Sequence, residues 1–214
     1  MNAQTGFTRS QTGEVPFGFD ELFYSRTDKR GVILAGNQVF RRVAGFDWSE
    51  LLGAPHRVVR HPDTPRGVFR ILWDALGSGH PMGAYVKNRT KAGGHYWVFA
   101  VLVPAGEGFL SVRLKPSTPL FDRVREFYEQ LSAREQAEKL DPEVSAGLLR
   151  KAAMADGFSS YTSYMACALG LELAARDAKL GRAADGRTRT LIEMNKALEK
   201  TTQEQTKLLR SFEA

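Results

Sequence analysis

Arg60, His61 and Asp63 stand close together in PHRVVRHPDTP, a segment bracketed by Pro55 and Pro65. The three side chains carry complementary chemistry. The planar guanidinium of Arg60 can donate two parallel hydrogen bonds to a phosphate or carboxylate. The imidazole of His61 changes charge near neutral pH and can donate or accept. Asp63 can orient either neighbour, or cap a helix beginning near Pro65, because Asp shortly before a first-turn proline is a common helix start. Such a concentration of charge between two prolines is unusual for a connector, and the loop reads as a site. Lys87 and Arg89, further on, read as the solvated end of a strand.

The elements around the loop must position it. ELFYSRT and GVILAGN read as two short strands joined by a turn at Asp28–Gly31. Asn37 can cap a helix over QVFRRVAG, and Ser49 a brief turn through Leu52. After the loop, RGVFRILWDALGSG places Val68, Leu72 and Leu76 on one helical face and stops at Gly77. MGAYVKN, HYWVFAVLVP and GFLSVRLKP then read as three strands linked by glycine-containing hairpin loops. Two strands, small helices and three hairpin-connected strands give an α+β order with an antiparallel sheet half covered by helices.

Beyond Pro116 the strand signals stop. TPLFDRVREFYEQL places Leu120, Val124, Phe127 and Leu131 at helical spacing, a helix that leaves the sheet domain. Further helices break near Asp156-Gly157 and Gly181. Residues 187–213 carry about three heptads with two polar members, a weak coiled-coil pattern. The expected organisation is a loose tail over 1–19, a sheet domain over 20–118 and a helical extension over 119–214.

Composition narrows the class. The 214 residues are 43% hydrophobic with a net charge of +6, enough for a sizeable core. The basic residues are interspersed with acids and form no zinc-finger, RNP or basic-zipper pattern, so no nucleic-acid partner is expected. The N-terminus has no apolar signal region and no stretch is long enough to span a membrane, which predicts a cytoplasmic protein. The single Cys167 excludes an internal disulfide. The histidines are too scattered for a zinc or iron cluster. No nucleophile elbow, P-loop, Rossmann fingerprint or His-Glu metal helix is present, and no enzyme activity is expected.

Four strings, RHPDTP followed by a helix carrying Trp73, GAYVKNR, GGHYWV and LSVR, occur in an order that resembles the PAS domain of bacterial aerotaxis receptors. The resemblance covers Asp20 to Ser117. It implies a five-stranded antiparallel sheet with helices over one face, enclosing a pocket that in that family holds FAD noncovalently, and a role in sensing redox or oxygen status. The family's RHPD segment, needed for flavin binding, matches at Arg60, His61, Pro62 and Asp63. Trp73 lines the flavin or fills core. Asn37, Asn88 and Trp97 fall where such pockets present polar or aromatic side chains inward. Flavin photochemistry through a cysteinyl adduct is excluded, since Asp20 to Ser117 contains no cysteine.

Haem is the alternative cofactor, with His61 as axial ligand and His56, His80 and His95 also available. An empty pocket in a dimerisation module is the third reading. The expected protein is a sensory homodimer that signals to a partner through its C-terminal helices. No transmembrane segment and no long chemoreceptor hairpin is expected within the residues after Ser117.

Overall fold

The computed structural model describes residues 13–183 and residue 193. The heptads expected over 187–213 lie outside the described positions. Alternating apolar residues build the sheet. β1 (Phe23–Asp28) buries every second side chain and turns into β2 (Ile33–Gly36). In the turn, the Asp28 carboxylate accepts the amide protons of Arg30 and Val32, and Gly31 supplies a φ of +78° that a side chain would resist. β3 (Met82–Arg89), β4 (His95–Ala105) and β5 (Gly108–Leu114) form successive hairpins. The five strands pair antiparallel in the order β2-β1-β5-β4-β3.

The inner face of the sheet is roofed by short helices. α1 (Gln38–Ala44) starts at Asn37, whose Oδ1 accepts the Phe40 amide. α2 (Trp48–Leu51) starts at Asp47 and not at Ser49, because the Glu50 carboxylate reaches back to the Asp47 amide at 2.9 Å and places Ser49 inside the first turn. A 3-10 turn, His56–Val59, precedes the proline-bracketed loop. α3 (Arg66–Gly77) follows it and buries Val68, Leu72 and Leu76.

The C-terminal helices correct one sequence expectation. α4 (Pro119–Glu138) does not leave the sheet but crosses its outer face, with Phe121 against Tyr85 and Trp97, both at 5.4 Å between ring centroids. α5 (Pro142–Ala155) packs on α3 so closely that Gly67 lies against the backbone of Ser145 and Ala146. α6 (Tyr161–Lys179) lies along β3. Residues of the sheet, the roof and all three C-terminal helices belong to one hydrophobic cluster. Sequence alone shows an apolar stripe on α4 but not what covers it.

The N-terminal segment is also packed where it is described. The Val15 amide donates to the His95 carbonyl, and Phe17 is buried edge-on against Phe23 at 4.8 Å. Residues 13–19 therefore belong to the sheet domain, contrary to the loose tail expected over 1–19. Among the described residues no helix is long and apolar enough to cross a membrane.

Candidate functional site

The loop that attracted attention in the sequence is pinned to the free edge of β3. Arg60 bridges to Asn88 in antiparallel register, the His61 amide donates to the Lys87 carbonyl, and Thr64 Oγ1 pairs with both the amide and the carbonyl of Lys87. Strand-like pairing imposes alternation. Arg60 consequently faces inward with Asn88, whereas His61 faces outward.

Between the inner sheet face and the helical roof lies a cavity of about 530 Å³. Its floor is Ser25 and Thr27 of β1, Asn88 of β3, Ala100 and Leu102 of β4, and Phe109, Ser111 and Arg113 of β5. The register explains this set, since Ala100 pairs with Arg113, and Ser111 pairs with both Leu102 and Ser25. Phe69, Leu72 and Trp73 of α3 form the wall, and Arg30, Arg57 and Arg60 stand around it. The Arg60 guanidinium lies over the Phe69 ring at 3.4 Å.

Arg113 dominates the electrostatics. It is 4% exposed, and its Nη2 donates to Ser25 Oγ and to His56 Nε2, both at 2.7 Å. Because a guanidinium only donates, Nε2 of His56 must be the unprotonated acceptor. His56 stacks on Phe40 and lines the cavity. Burial, reinforced by the Arg113 and Arg60 charges, holds its pKa well below the ordinary histidine value. Burial likewise lowers Arg113 and Arg60 to about 10. Among the described residues, Arg113 Nη1 and the nearby Ser111 Oγ find no partner, and no carboxylate lines the cavity. A buried cation with neither counter-ion nor full hydrogen bonding costs several kcal/mol, roughly.

Of the residues expected at the site, the structure brings Arg60, Asn88 and Trp73 into the cavity. The others have different positions. His61 lies outside it with Asp63, Lys87 and His95. Its Nδ1 accepts the Asp63 amide at 3.2 Å, and its ring meets that of His95 edge-on. Burial lowers its pKa, with Asp63 opposing and Lys87 assisting. An axial-ligand role for His61 has no support in this geometry, and the histidine that lines the cavity is His56. Asp63 does not cap α3. It pairs with the Lys87 ammonium at 2.7 Å, and although burial pushes its pKa up, that ammonium and the two histidines bring it below the usual value.

The α3 N-terminus is capped instead by Glu135 of α4, whose carboxylate accepts the amides of Arg66 and Gly67. Lys87, read as solvated, is largely buried at its head group by the same ion pair. Asn37 is a structural cap that also binds the Leu22 carbonyl. Trp97 pairs with Lys87 across the hairpin and so faces outward, under Phe121 and Tyr128 of α4. Among the described residues no cluster of three or more His, Cys, Asp or Glu is placed to hold a metal.

Residues 33–108, which contain most of this cavity, match the family model described as the PAS fold. The sheet domain is a PAS domain. The chain is 35% identical over 130 residues to the aerotaxis receptor of Escherichia coli (strain K12), a match covering 58% of this chain and 26% of the receptor. It is 32% identical over 87 residues to the nitrogen fixation regulatory protein of Klebsiella oxytoca, covering 39% of this chain and 18% of that protein. The matches thus span about a quarter of the first relative and under a fifth of the second. Among solved structures, the PAS domain of a Colwellia psychrerythraea protein aligns with TM-score 0.40 and 17% identity, covering 44% of this chain and 85% of that one. The LOV domain of a blue-light activated histidine kinase from Erythrobacter litoralis aligns with TM-score 0.40 and 16% identity, covering 45% and 95%. The chain is a PAS-domain protein related to a receptor and to regulators.

Proposed function

We propose that this chain is a sensory protein whose PAS cavity binds FAD noncovalently and whose redox state is passed to the C-terminal helices. The observation that carries the reading is Arg113, a buried cation whose Nη1 has no partner among the described residues, in a cavity that none of their carboxylates lines. Such a cavity is built for an anionic or strongly polarised ligand. FAD fits the residues present. Phe69, Leu72, Trp73 and Phe109 offer apolar and aromatic surface for a planar ring. Asn88, Ser111 and Arg113 offer donors for its carbonyl edge. Arg30, Arg57 and Arg60 offer charge for the pyrophosphate. A volume of about 530 Å³ falls within the roughly 300–1,000 Å³ of small-molecule sites.

When bound, FAD supplies reversible electron uptake. The chain's own groups then respond to charge. Arg113 favours negative charge at the floor. His56 accepts from Arg113 only while Nε2 is unprotonated, so the pair has two arrangements differing by one proton. β5, which carries Arg113, runs on into α4, and β3, which carries Asn88, presents Tyr85 on the outer face to Phe121 of α4. The names of the relatives, an aerotaxis receptor and a nitrogen fixation regulator, agree with a sensory role. Haem is the poorer fit, because the cavity's histidine already has its Nε2 engaged by Arg113. Pairing of two copies belongs to the same proposal. Tyr24, Leu34 and Val112 leave apolar surface on β1, β2 and β5, and sedimentation at micromolar concentration reads the state directly.

The colour of the purified protein tests the ligand. Protein purified without added cofactor is expected to be yellow and to release FAD on denaturation. Arg60→Ala should lower the FAD content, and His61→Ala, altering a side chain outside the cavity, should leave it nearly unchanged. Colourless protein that takes up no added FAD would refute the reading, and a red protein yielding porphyrin would replace it with haem.

A further inference from the structure

The two halves of α6 are held to the protein by different forces. In the first half, Tyr161, Tyr164, Met165 and Ala168 are buried, and Tyr161 Oη lies 2.6 Å from Tyr128 Oη of α4. The second half has a smaller apolar grip, made by Ala174 and the partly buried Leu171. Its buried positions are Gly170, Glu172, Ala174 and Arg176, while Leu173 is exposed. Its other attachments are polar. Arg176 Nε donates to the Phe19 carbonyl at 2.7 Å, and Glu172, fully buried, gathers hydrogen bonds from three directions.

Glu172 Oε1 accepts from Tyr85 Oη at 2.9 Å and from Thr118 Oγ1 at 2.7 Å, with the Thr118 amide at 3.3 Å. Its Oε2 accepts the Ser117 amide at 2.7 Å. Among the described residues no cation pairs with it. A buried carboxylate held only by neutral donors is stable while all of them are present, and becomes costly when one is lost. Burial accordingly raises its pKa, although each of these donors opposes the rise.

The donors come from two places that matter. Tyr85 precedes Val86 on β3, the strand that carries Asn88 into the cavity. Ser117 and Thr118 join β5, which carries Ser111 and Arg113, to the start of α4. One carboxylate therefore ties α6 to two of the three strands, β3 and β5, that bear the cavity's polar floor. Gly170 lies two residues before it, and a glycine inside a helix costs about 1 kcal/mol against alanine, marking the weakest point for bending.

We propose that Glu172 is a latch, and that the fold has a second state in which residues 170–179 bend away from the sheet at Gly170 while the rest of the protein stays folded. A displacement of β3 or of the β5–α4 junction weakens the latch and favours the open state. Release bares Tyr85 and moves whatever follows α6. Two discrete arrangements separated by a few hydrogen bonds are what a switching element requires.

Hydrogen exchange resolved by peptide, on the full chain, tests this with Glu172→Gln and the milder Tyr85→Phe. Gln keeps one acceptor but, in either orientation of its amide, sets an N–H₂ group against a backbone amide, that of Ser117 or of Thr118. The latch predicts that amides of residues 171–179 exchange at least about tenfold faster in Glu172→Gln. A smaller acceleration is predicted in Tyr85→Phe, with β4 and residues 161–168 unchanged in both. Equal acceleration across β4 and all of α6 would make Glu172 ordinary core support and overturn the proposal. Unchanged rates over 171–179 in both variants would overturn it as well.

Discussion

Arg113→Met is expected to weaken FAD binding by roughly 10- to 150-fold while leaving the stability of the ligand-free chain within about 1 kcal/mol of the parent. The two effects have separate causes. Hydrogen bonds from a charged donor contribute about 1.5–3 kcal/mol each, and about 1.4 kcal/mol is tenfold in affinity. Without ligand, however, the guanidinium is a buried charge with no counter-ion and one free Nη1. Replacing such a charge by an apolar side chain of similar size is often neutral or stabilising. The loss of donors to Ser25 and His56 offsets part of that gain. Fluorescence titration with FAD and urea unfolding read the two quantities on the same preparation. Unchanged affinity would remove Arg113 from the site, and a large loss of stability in the ligand-free chain would make it structural.

Gly67→Ala should destabilise the protein by about 2 kcal/mol or more, measured by thermal or urea unfolding. The new Cβ would sit 2.5 Å from the Ala146 nitrogen and 2.6 Å from the Ser145 carbonyl carbon, backbone atoms that yield only if α3 and α5 separate. Overpacking of this kind costs about 1–3 kcal/mol, occasionally more. Helix propensity alone predicts the reverse sign, a gain of about 1 kcal/mol for alanine over glycine. The sign of the change therefore reports whether α5 is seated on the helix that forms the cavity wall. A stabilised variant would mean that the two helices are not in contact.

Local chemistry made much of the fold legible. β-rich runs bounded by turn residues located all five strands, Asn37 marked the start of α1, and Gly77 closed α3. Arg60 was readable because its loop is charged and bounded by prolines. Arg113 and His56 were harder to see for a physical reason. LSVRLKP shows that Ser111 and Arg113 share a face, but which face is inner depends on pairing with β1 and β4. A charged residue in a strand otherwise reads as solvated. Trp97 illustrates the same limit, since one position separates it from the inward register of Tyr96 and Val98, and alternation then sends its ring under α4. His61 and Asp63 were grouped with Arg60 by proximity, whereas the extended backbone at Arg60 sends His61 to the opposite side and the turn closed by the Thr64 amide on the His61 carbonyl carries Asp63 to Lys87. The docking of α4 to α6 depends on long-range complementarity, such as Glu135 capping α3, that no short motif announces.

In the proposed function the cavity would recognise a flavin through both its ring and its charge, and calorimetric titration of the cofactor-stripped full chain with FAD and, separately, with riboflavin tests this most directly. One FAD site per chain is predicted, with riboflavin weaker by at least about tenfold, the worth of one charge-assisted hydrogen bond to the absent phosphates. No saturable binding of either compound, or equal affinity for both, would contradict it.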